Sequence, residues 1–416
     1  MKTYIMMFGI SNIVAGGPIY NANKIKFLEE NGWNVIVFPT DSGKVYIKPL
    51  EKYKEYEYSF LRFSPFIFRK KKINNFLKAM ENRIPQSDTI VIETGTDYTA
   101  LWGELLAEKI GARHIVMFLD EKNNNVNRYT FEFYKFKYER NELYSISKES
   151  LLHIFSPYFT IKSPENNVWK AWCTNTVADV DSEIVDNLPD ADFLIGSIGR
   201  LDKLFVPNII NAVCSFADNN KNLEFGLCLF GGADEKTLDK IVSKVKKHKN
   251  IKLYISGYIW PIPKKIFSKI DIFISGAGSA RVSAEMGITT VKIDVITHSP
   301  LGFIDNTLKF HTVSLESSNV SLEDYLHEAL INKNFPSIQG IVTPKQRWEI
   351  ICSDFCEQIN QIESLNSDLK YFETDKVWDH RKIRIIQKII ANSTNYKVFL
   401  LIQKIYNWIG GYGFKI

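Results

Sequence analysis

Three short segments between residues 197 and 287 place basic or small residues at the ends of apolar runs. The first is Ser197-Ile198-Gly199-Arg200-Leu201-Asp202-Lys203, at the end of the run Phe193–Ile198. An arginine and a lysine delivered there can grip a diphosphate, Arg through its planar fork and Lys as a point charge. An ordinary charged surface loop would carry the same residues. The second segment, Leu229-Phe230-Gly231-Gly232-Ala233-Asp234, passes through two glycines into a helix with an acidic start. Glycines admit close approach of a ligand to the backbone, and a helix N-terminus attracts anions; a turn that needs positive φ would use the same glycines. The third runs from Ile274 through Gly276-Ala277-Gly278-Ser279 to Glu285 and Gly287. Its small residues can present bare N–H groups to an anion. Glu285, about two turns into the following helix, can accept hydrogen bonds from two sugar hydroxyls or simply stand on the helix surface. His298, beyond the run Thr290–Ile293, can approach a sugar or a phosphate. In the first half, Asp97 and Asp120 each follow an apolar run, Thr89–Ile92 and Val116–Leu119. Either can deprotonate an acceptor hydroxyl, whereas Asp97 could equally cap a helix and Asp120 occupy a turn.

The elements that must position these residues read as two α/β series. Tyr4–Gly9 is a short strand, followed by a loop ending in Gly16-Gly17. Pro18 suits a helix start, since its missing N–H is not needed there; Asn31-Gly32 stops that helix. Trp33–Phe38, Thr89–Ile92 and His114–Leu119 read as further strands, Tyr98–Lys109 as a helix, and Leu151–Ser156 as a resumed strand after a polar, partly helical excursion over 121–145. Residues 178–192 are acidic and poor in aromatics, as a linker would be. Beyond them strands Phe193–Ile198, Leu223–Phe230, Ile251–Ile255, Ile270–Ser275 and Thr290–Ile293 alternate with helices near 206–219, 234–248 and 279–287. Continuous apolar strands interleaved with helices predict parallel sheets covered on both faces. The expected organisation is an α/β protein: an N-terminal Rossmann-like domain over 1–177, a linker over 178–192, a second Rossmann-like domain over 193–343, and C-terminal helices with a basic tail over 344–416. Pro344 opens a helix carrying Trp348, Ile351, Phe355 and Ile359.

Taken in this order, the segments resemble the donor-binding domain of glycosyltransferases with the GT-B fold, in the superfamily of glycogen and sucrose synthases and many bacterial polysaccharide enzymes. Gly199-Arg200-Leu201, Gly231-Gly232, Ser256-Gly257-Tyr258-Ile259 and Gly276–Glu285 carry the likeness, with Gly16-Gly17 matching the family's N-terminal loop. The resemblance spans about residues 1–345 and is strongest over 193–295. It implies two doubly wound domains facing a cleft. It also implies a nucleotide-sugar donor whose diphosphate meets Arg200 and Lys203, whose ribose meets Glu285 and whose base lies near Tyr258 and Ile259. Gly278 and Ser279 would hold a phosphate, and no cofactor or metal would be needed. The acceptor would be a saccharide or lipid-linked sugar in bacterial surface polysaccharide or glycolipid assembly. Two positions depart from the family pattern: Phe205 stands where a lysine is usual, and Ala277 where retaining members carry a glutamate. A nucleotide-sugar epimerase of the same fold, or a binding relative without catalysis, shares the remaining features.

The chain of 416 residues has 52 Lys+Arg and 47 Asp+Glu. Seven of the basic side chains and no acid fall in 381–416, so residues 1–380 are slightly acidic. Scattered cations around the cleft do not make a nucleic-acid groove. The tail's apolar-basic stretches fit either an anionic membrane surface or packing against the first domain. No charged side chain occurs between Lys2 and Lys24, but the apolar core of that stretch is too short for a signal peptide or a membrane span. A cytoplasmic protein is expected, peripheral on the inner membrane face if the tail binds lipid. Five cysteines do not make a disulfide framework; Cys352 and Cys356, four apart, are expected to be small buried residues rather than metal ligands.

Overall fold

A computed structural model describes residues 1–377 apart from 42, 96, 97, 120–129, 157, 174, 306–318, 335–342, 366, 375 and 376. The candidate bases Asp97 and Asp120 and the basic tail 381–416 lie outside the described residues.

The first unit runs β1 (Lys2–Phe8), α1 (Gly16–Glu30), β2 (Asn34–Pro39), α2 (Lys70–Glu81), β3 (Thr89–Thr94), α3 (Tyr98–Ile110), β4 (Arg113–Phe118), α4 (Phe131–Glu139), β5 (Leu143–Ser145) and α5 (Lys148–Phe155). Its five strands form a wholly parallel sheet in the order β2-β1-β3-β4-β5. The alternation of β1 shows how the layers form. Tyr4 and Met6 join the core on the α1 side, while Ile5 and Met7 join the opposite one with Trp102 of α3.

A two-residue strand, β6 (Val177–Ala178), and a short helix, α6 (Glu183–Asp186), lead into the second unit. It comprises β7 (Phe193–Ile198), α7 (Val206–Asn219), β8 (Phe225–Phe230), α8 (Glu235–Val245), β9 (Ile251–Ile255), β10 (Ile262–Pro263), β11 (Ile272–Gly276), α9 (Ala277–Glu285), β12 (Thr290–Ile293), β13 (Pro300–Phe303) and α10 (Leu322–Leu326). The sheet order is β13-β12-β11-β7-β8-β9, parallel except for β13, and β10 pairs with β6.

The last described helix, α11 (Pro344–Ser364), begins in a capping box between Thr343 and Gln346, with Pro344 at its first position. It does not stay with the second unit. Ile351, Phe355, Ile359 and Ile362 pack into the core on the α1 side of the first sheet. At about 1.5–3 kcal/mol for each fully buried apolar side chain, this docking is a substantial part of the stability of the first unit.

Three sequence expectations are corrected. Leu151–Ser156 is not a strand but most of α5: Ser147 Oγ accepts from Ser150 N at 3.1 Å, and Leu151, Ile154 and Phe155 line one buried helical face. The edge strand is the shorter Leu143–Ser145. Helix α1 starts at Gly16, two residues before Pro18, because Ala15 O already accepts from Ile19 N at 3.1 Å. A proline in a first turn lacks only an N–H that has no intrahelical partner. Finally, Cys356 is exposed, off the apolar stripe of α11, and Cys352 is half-buried at the edge of the core that the stripe enters; all five cysteines are free.

Candidate functional site

In both sheets the strand order reverses beside the first strand of the unit, and ligands of open α/β sheets sit beyond the carboxyl ends of strands at such a point. In the second sheet the reversal lies between β7 and β11. The loop leaving β7 holds Gly199, Arg200 and Lys203, and opposite it Gly276, Gly278 and Ser279 stand at the direct junction of β11 with the first turn of α9. They touch: Ile198 N donates to Ser275 Oγ at 3.0 Å, and a Cβ on Gly199 would lie 3.4 Å from Ser279 Oγ. The neighbouring β8 loop closes on the same point. Leu201 N donates to Gly232 O at 3.0 Å, and a Cβ on Gly231 would lie only 1.7 Å from Gly199 O. No side chain fits at Gly231. The second glycine supports an aromatic instead, for a Cβ on Gly232 would lie 2.7 Å from the ring of Tyr258.

Arg200 is partly exposed, with its Nε 3.3 Å from Asp202 Oδ1. Lys203 is exposed on the same turn. Phe205 is buried, and its ring would lie 3.0 Å from a Cβ on Gly276, so the aromatic props the small-residue loop from below. Ala277 opens α9 with φ 49°. That left-handed value, uncommon outside glycine, turns successive N–H groups toward one side, the geometry of an anion nest. His298 also has positive φ, and its carbonyl accepts from Asn208 Nδ2 at 3.1 Å, which fixes the β12 loop beside α7. These five loops or turns therefore put Arg200, Lys203, Gly231, Gly232, Tyr258, Gly278, Ser279 and His298 on one rim of the sheet.

The first unit meets that rim. Tyr46 packs on Tyr258 with ring centroids 5.1 Å apart, and Asn175 Nδ2 donates to Ile259 O at 3.1 Å. Burial, then Asp202, raises the Tyr258 pKa, with Arg200 opposing. Gly16 and Gly17 form the first turn of α1, and a Cβ on Gly16 would lie 2.9 Å from Cys173 Cβ. Glu285 is placed differently from an open ribose ligand. It is 2% exposed, accepts from Arg281 Nε at 2.7 Å and is ion-paired with Arg347 of α11. Arg281 in turn lies over Trp172 at 4.6 Å, whose Nε1 donates to Asp354 of α11 at 2.9 Å. Burial, then the neighbouring Arg281, brings the Arg347 pKa down to about 10. Tyr46, Arg281 and Arg347 were not singled out in the sequence. Each is an ordinary residue in its own segment and acquires meaning only from a partner far along the chain.

No protein-family model matches the sequence, and no curated protein does. Solved structures do resemble the chain at low identity. It is similar to a glycosyltransferase from Rickettsia africae with a TM-score of 0.57 and 12% identity, covering 91% of this chain and 99% of that one. Similarity to sucrose-phosphate synthase from Thermosynechococcus elongatus has a TM-score of 0.54 at 12% identity, over 88% of this chain and 100% of that one. For Anabaena HepE, solved with UDP and glucose, the values are 0.50, 12%, 87% and 99%. Two doubly wound units, a helix returning from the second to the first, and these neighbours agree. The chain has the GT-B fold.

The first unit also holds two buried polar networks. In one, Lys24 Nζ is 2.5 Å from Glu93 Oε2 and 3.2 Å from Gln358 Oε1 of α11, with the rings of Tyr4, Tyr20, Trp169 and Phe355 around it. Burial pushes the Lys24 pKa down, against Glu93. In the other, Thr94, the last residue of β3, lies 2.8 Å from His114 Nε2, while His114 Nδ1 is 2.7 Å from Glu104 Oε2. Lys137 Nζ is 2.6 Å from the same carboxylate. A neutral imidazole donating to Glu104 and accepting from Thr94 satisfies all three groups. Burial then Lys137 lower the His114 pKa; burial opposes ionisation of Glu104, but Lys137 and His114 outweigh it and hold the carboxyl at about 2.

An acid-stability profile follows. Both folded pKa values lie below the ordinary ones, so the folded state binds fewer protons and stability falls as pH falls. The His114 contribution begins to go below its ordinary 6.5, and that of Glu104 goes between 4.5 and about 2. The Glu104 part is about 3 kcal/mol at 1.36 kcal/mol per pH unit. Urea denaturation at pH 7, 5, 4 and 3 should show the midpoint falling throughout; an unchanged midpoint between pH 5 and 3 would contradict the network.

Proposed function

We propose that the protein is a glycosyltransferase that moves a sugar from a nucleotide-sugar donor to a saccharide or lipid-linked acceptor. The observation carrying this reading is the convergence of the Gly199–Lys203, Gly231-Gly232 and Gly276–Ser279 loops at the switch point of the second sheet. Arg200 and Lys203 face the diphosphate, and the backbone N–H groups at the start of α9 receive one of its phosphates. Tyr258, held between Gly232 and Tyr46, lines the region of the base. Charge on the departing nucleoside diphosphate is stabilised by fixed cations and N–H groups, without a divalent metal. Assembly of bacterial surface polysaccharide or glycolipid is the pathway class this chemistry suits. No described helix is long and apolar enough to cross a membrane.

The test is incubation with UDP-, GDP- and ADP-sugars, with and without saccharide and lipid-linked acceptors. Acceptor-dependent release of nucleoside diphosphate is expected. Conversion of the sugar without acceptor would assign an epimerase, and nucleotide binding without turnover under any condition would sink the transferase. Arg200→Ala is expected to raise the donor KM at least tenfold, the loss of one charge-assisted contact.

A further inference from the structure

Helix α8 is capped by Asp234, whose Oδ1 accepts from Thr237 N at 2.9 Å, and it turns Ile241 and Val245 into the core. Its outer side is lysine. Lys236, Lys240 and Lys244 recur every four residues, and Lys246, Lys247 and Lys249 continue just past the helix end, against only Glu235 and Asp239 in the same stretch. All but the half-buried Lys244 are exposed. Elsewhere on the described surface, exposed lysines commonly have an acid at hand, as in Lys2–Glu363, Lys52–Glu29, Lys148–Glu165, Lys252–Glu224 and Lys265–Asp181. None of the six lysines of the α8 stretch forms an ion pair with a described residue.

Lys244 in the last turn suits the helix dipole, but the first part of the row works against the helix that carries it. Like charges four residues apart repel, and Lys236 stands in the first turn, where the helix dipole disfavours a cation. An anion supplied from outside relieves both. The row from Lys236 to Lys247 is roughly 16 Å long at 1.5 Å per residue. Lys236, Lys240, Lys244 and Lys247 do border one shallow, open depression, but Glu235 and Asp239 share its lining, and two carboxylates there disfavour a single compact phosphate. The stretch 235–249 contains no arginine and no Phe, Tyr or Trp, and the ring of its His248 is held by Asp218 at 2.8 Å, so it lacks the forks and stacking faces of nucleic-acid surfaces. The exposed large apolar side chains, Leu204 and Ile350 among them, all lie off α8, so a protein partner would find no apolar anchor there. An extended anionic plane fits all of these facts.

We propose that the lysine face of α8 docks the protein, by charge alone, onto a bilayer bearing acidic headgroups. Helix α8 leaves the Gly231-Gly232 loop directly, so this contact holds the rim of the cleft close to the lipid surface. The contact is independent of the tail 381–416 and does not rest on the glycosyl-transfer reading. Without an apolar anchor, binding is reversible and steeply salt-dependent.

The test is sedimentation of the full chain with vesicles of phosphatidylcholine containing 30% phosphatidylglycerol (roughly the acidic fraction that gives a strongly negative surface), or of phosphatidylcholine alone. The wild type is expected on the acidic vesicles only, and to leave them in high salt. Lys236→Gln/Lys240→Gln/Lys244→Gln/Lys247→Gln should lower partition at least tenfold with the tail intact. The matching four Lys→Arg changes should retain it. Removing the repelling charges should leave the melting temperature of the Gln variant unchanged or raised, so loss of binding cannot be put down to misfolding. Undiminished partition of the Gln variant, salt-insensitive binding, or lysine-dependent capture of single-stranded RNA without vesicle binding would each overturn the proposal.

Discussion

Replacing Glu285 with alanine is expected to cost about 3–5 kcal/mol of stability, the range for removing one partner from a buried ion pair. The carboxylate is 2% exposed and is shared by Arg281 and Arg347, themselves 17% and 12% exposed. Its loss leaves two guanidiniums side by side in a poorly solvated place, where burial disfavours the charge of both and Arg281 further disfavours that of Arg347. Glu285→Gln, which keeps an acceptor for Arg281, should cost less, and Arg347→Met should cost less still because it removes the surplus charge. Chemical denaturation of the three variants and of Glu285→Gln/Arg347→Met gives the coupling, expected above 1 kcal/mol for groups in direct contact. A loss below 1 kcal/mol in Glu285→Ala would show that the three side chains do not form a buried unit.

The same variants decide how Glu285 affects nucleotide binding. A direct contact with ribose predicts that Arg347→Met frees the carboxylate and leaves affinity unchanged or improved. The observed pairing leads to the opposite expectation. Arg347 belongs to α11, which is fixed to the first unit through Phe355, Gln358 and Asp354, while Glu285 ends the helix that begins at the Gly276–Ser279 loop. Release of either end lets α9 shift, so Arg347→Met should weaken nucleotide binding in the same direction as Glu285→Ala. Titration calorimetry with UDP, GDP and ADP reads the difference.

Where physics is local, the sequence was informative. The buried strands Phe193–Ile198 and Thr290–Ile293 were legible from their continuous apolar runs, and α11 from Pro344 with its stripe of Ile351, Phe355 and Ile359. The error at Leu151–Ser156 is also instructive. A six-residue apolar run does not distinguish strand from helix, and the deciding cap at Ser147 precedes the run. The site divides in the same way. Gly199-Arg200, Gly231-Gly232 and Gly276–Ser279 announce themselves because turns and helix starts have their own residue types. The burial of Glu285 did not, since it depends on Arg347, 62 positions away. Tyr46 was equally silent: its role comes from a tilted ring contact with Tyr258 of the other unit.

The rim itself makes a graded prediction at its glycines. Gly231→Ala should reduce nucleotide affinity on the order of 100-fold, the scale of an ångström-sized misplacement in a binding constellation. Its new Cβ would lie 1.7 Å from Gly199 O, a backbone atom that cannot swing aside, so the β7 loop carrying Arg200 must move. Gly232→Ala should do less, because the obstacle at 2.7 Å is the Tyr258 ring, which can rotate at the expense of its contact with Tyr46. Gly257→Ala is the control. It adopts φ 71° with nothing within 4 Å of a new Cβ, so the change costs about 1–2 kcal/mol of backbone strain and leaves the rim in place. Calorimetric titration with the nucleotide that the wild type prefers should rank the losses Gly231, then Gly232, then Gly257. Equal losses at all three would mean that general destabilisation governs binding. Full affinity in Gly231→Ala would remove the β7–β8 loop contact from the proposed donor site, because that contact is what places Arg200 opposite the start of α9.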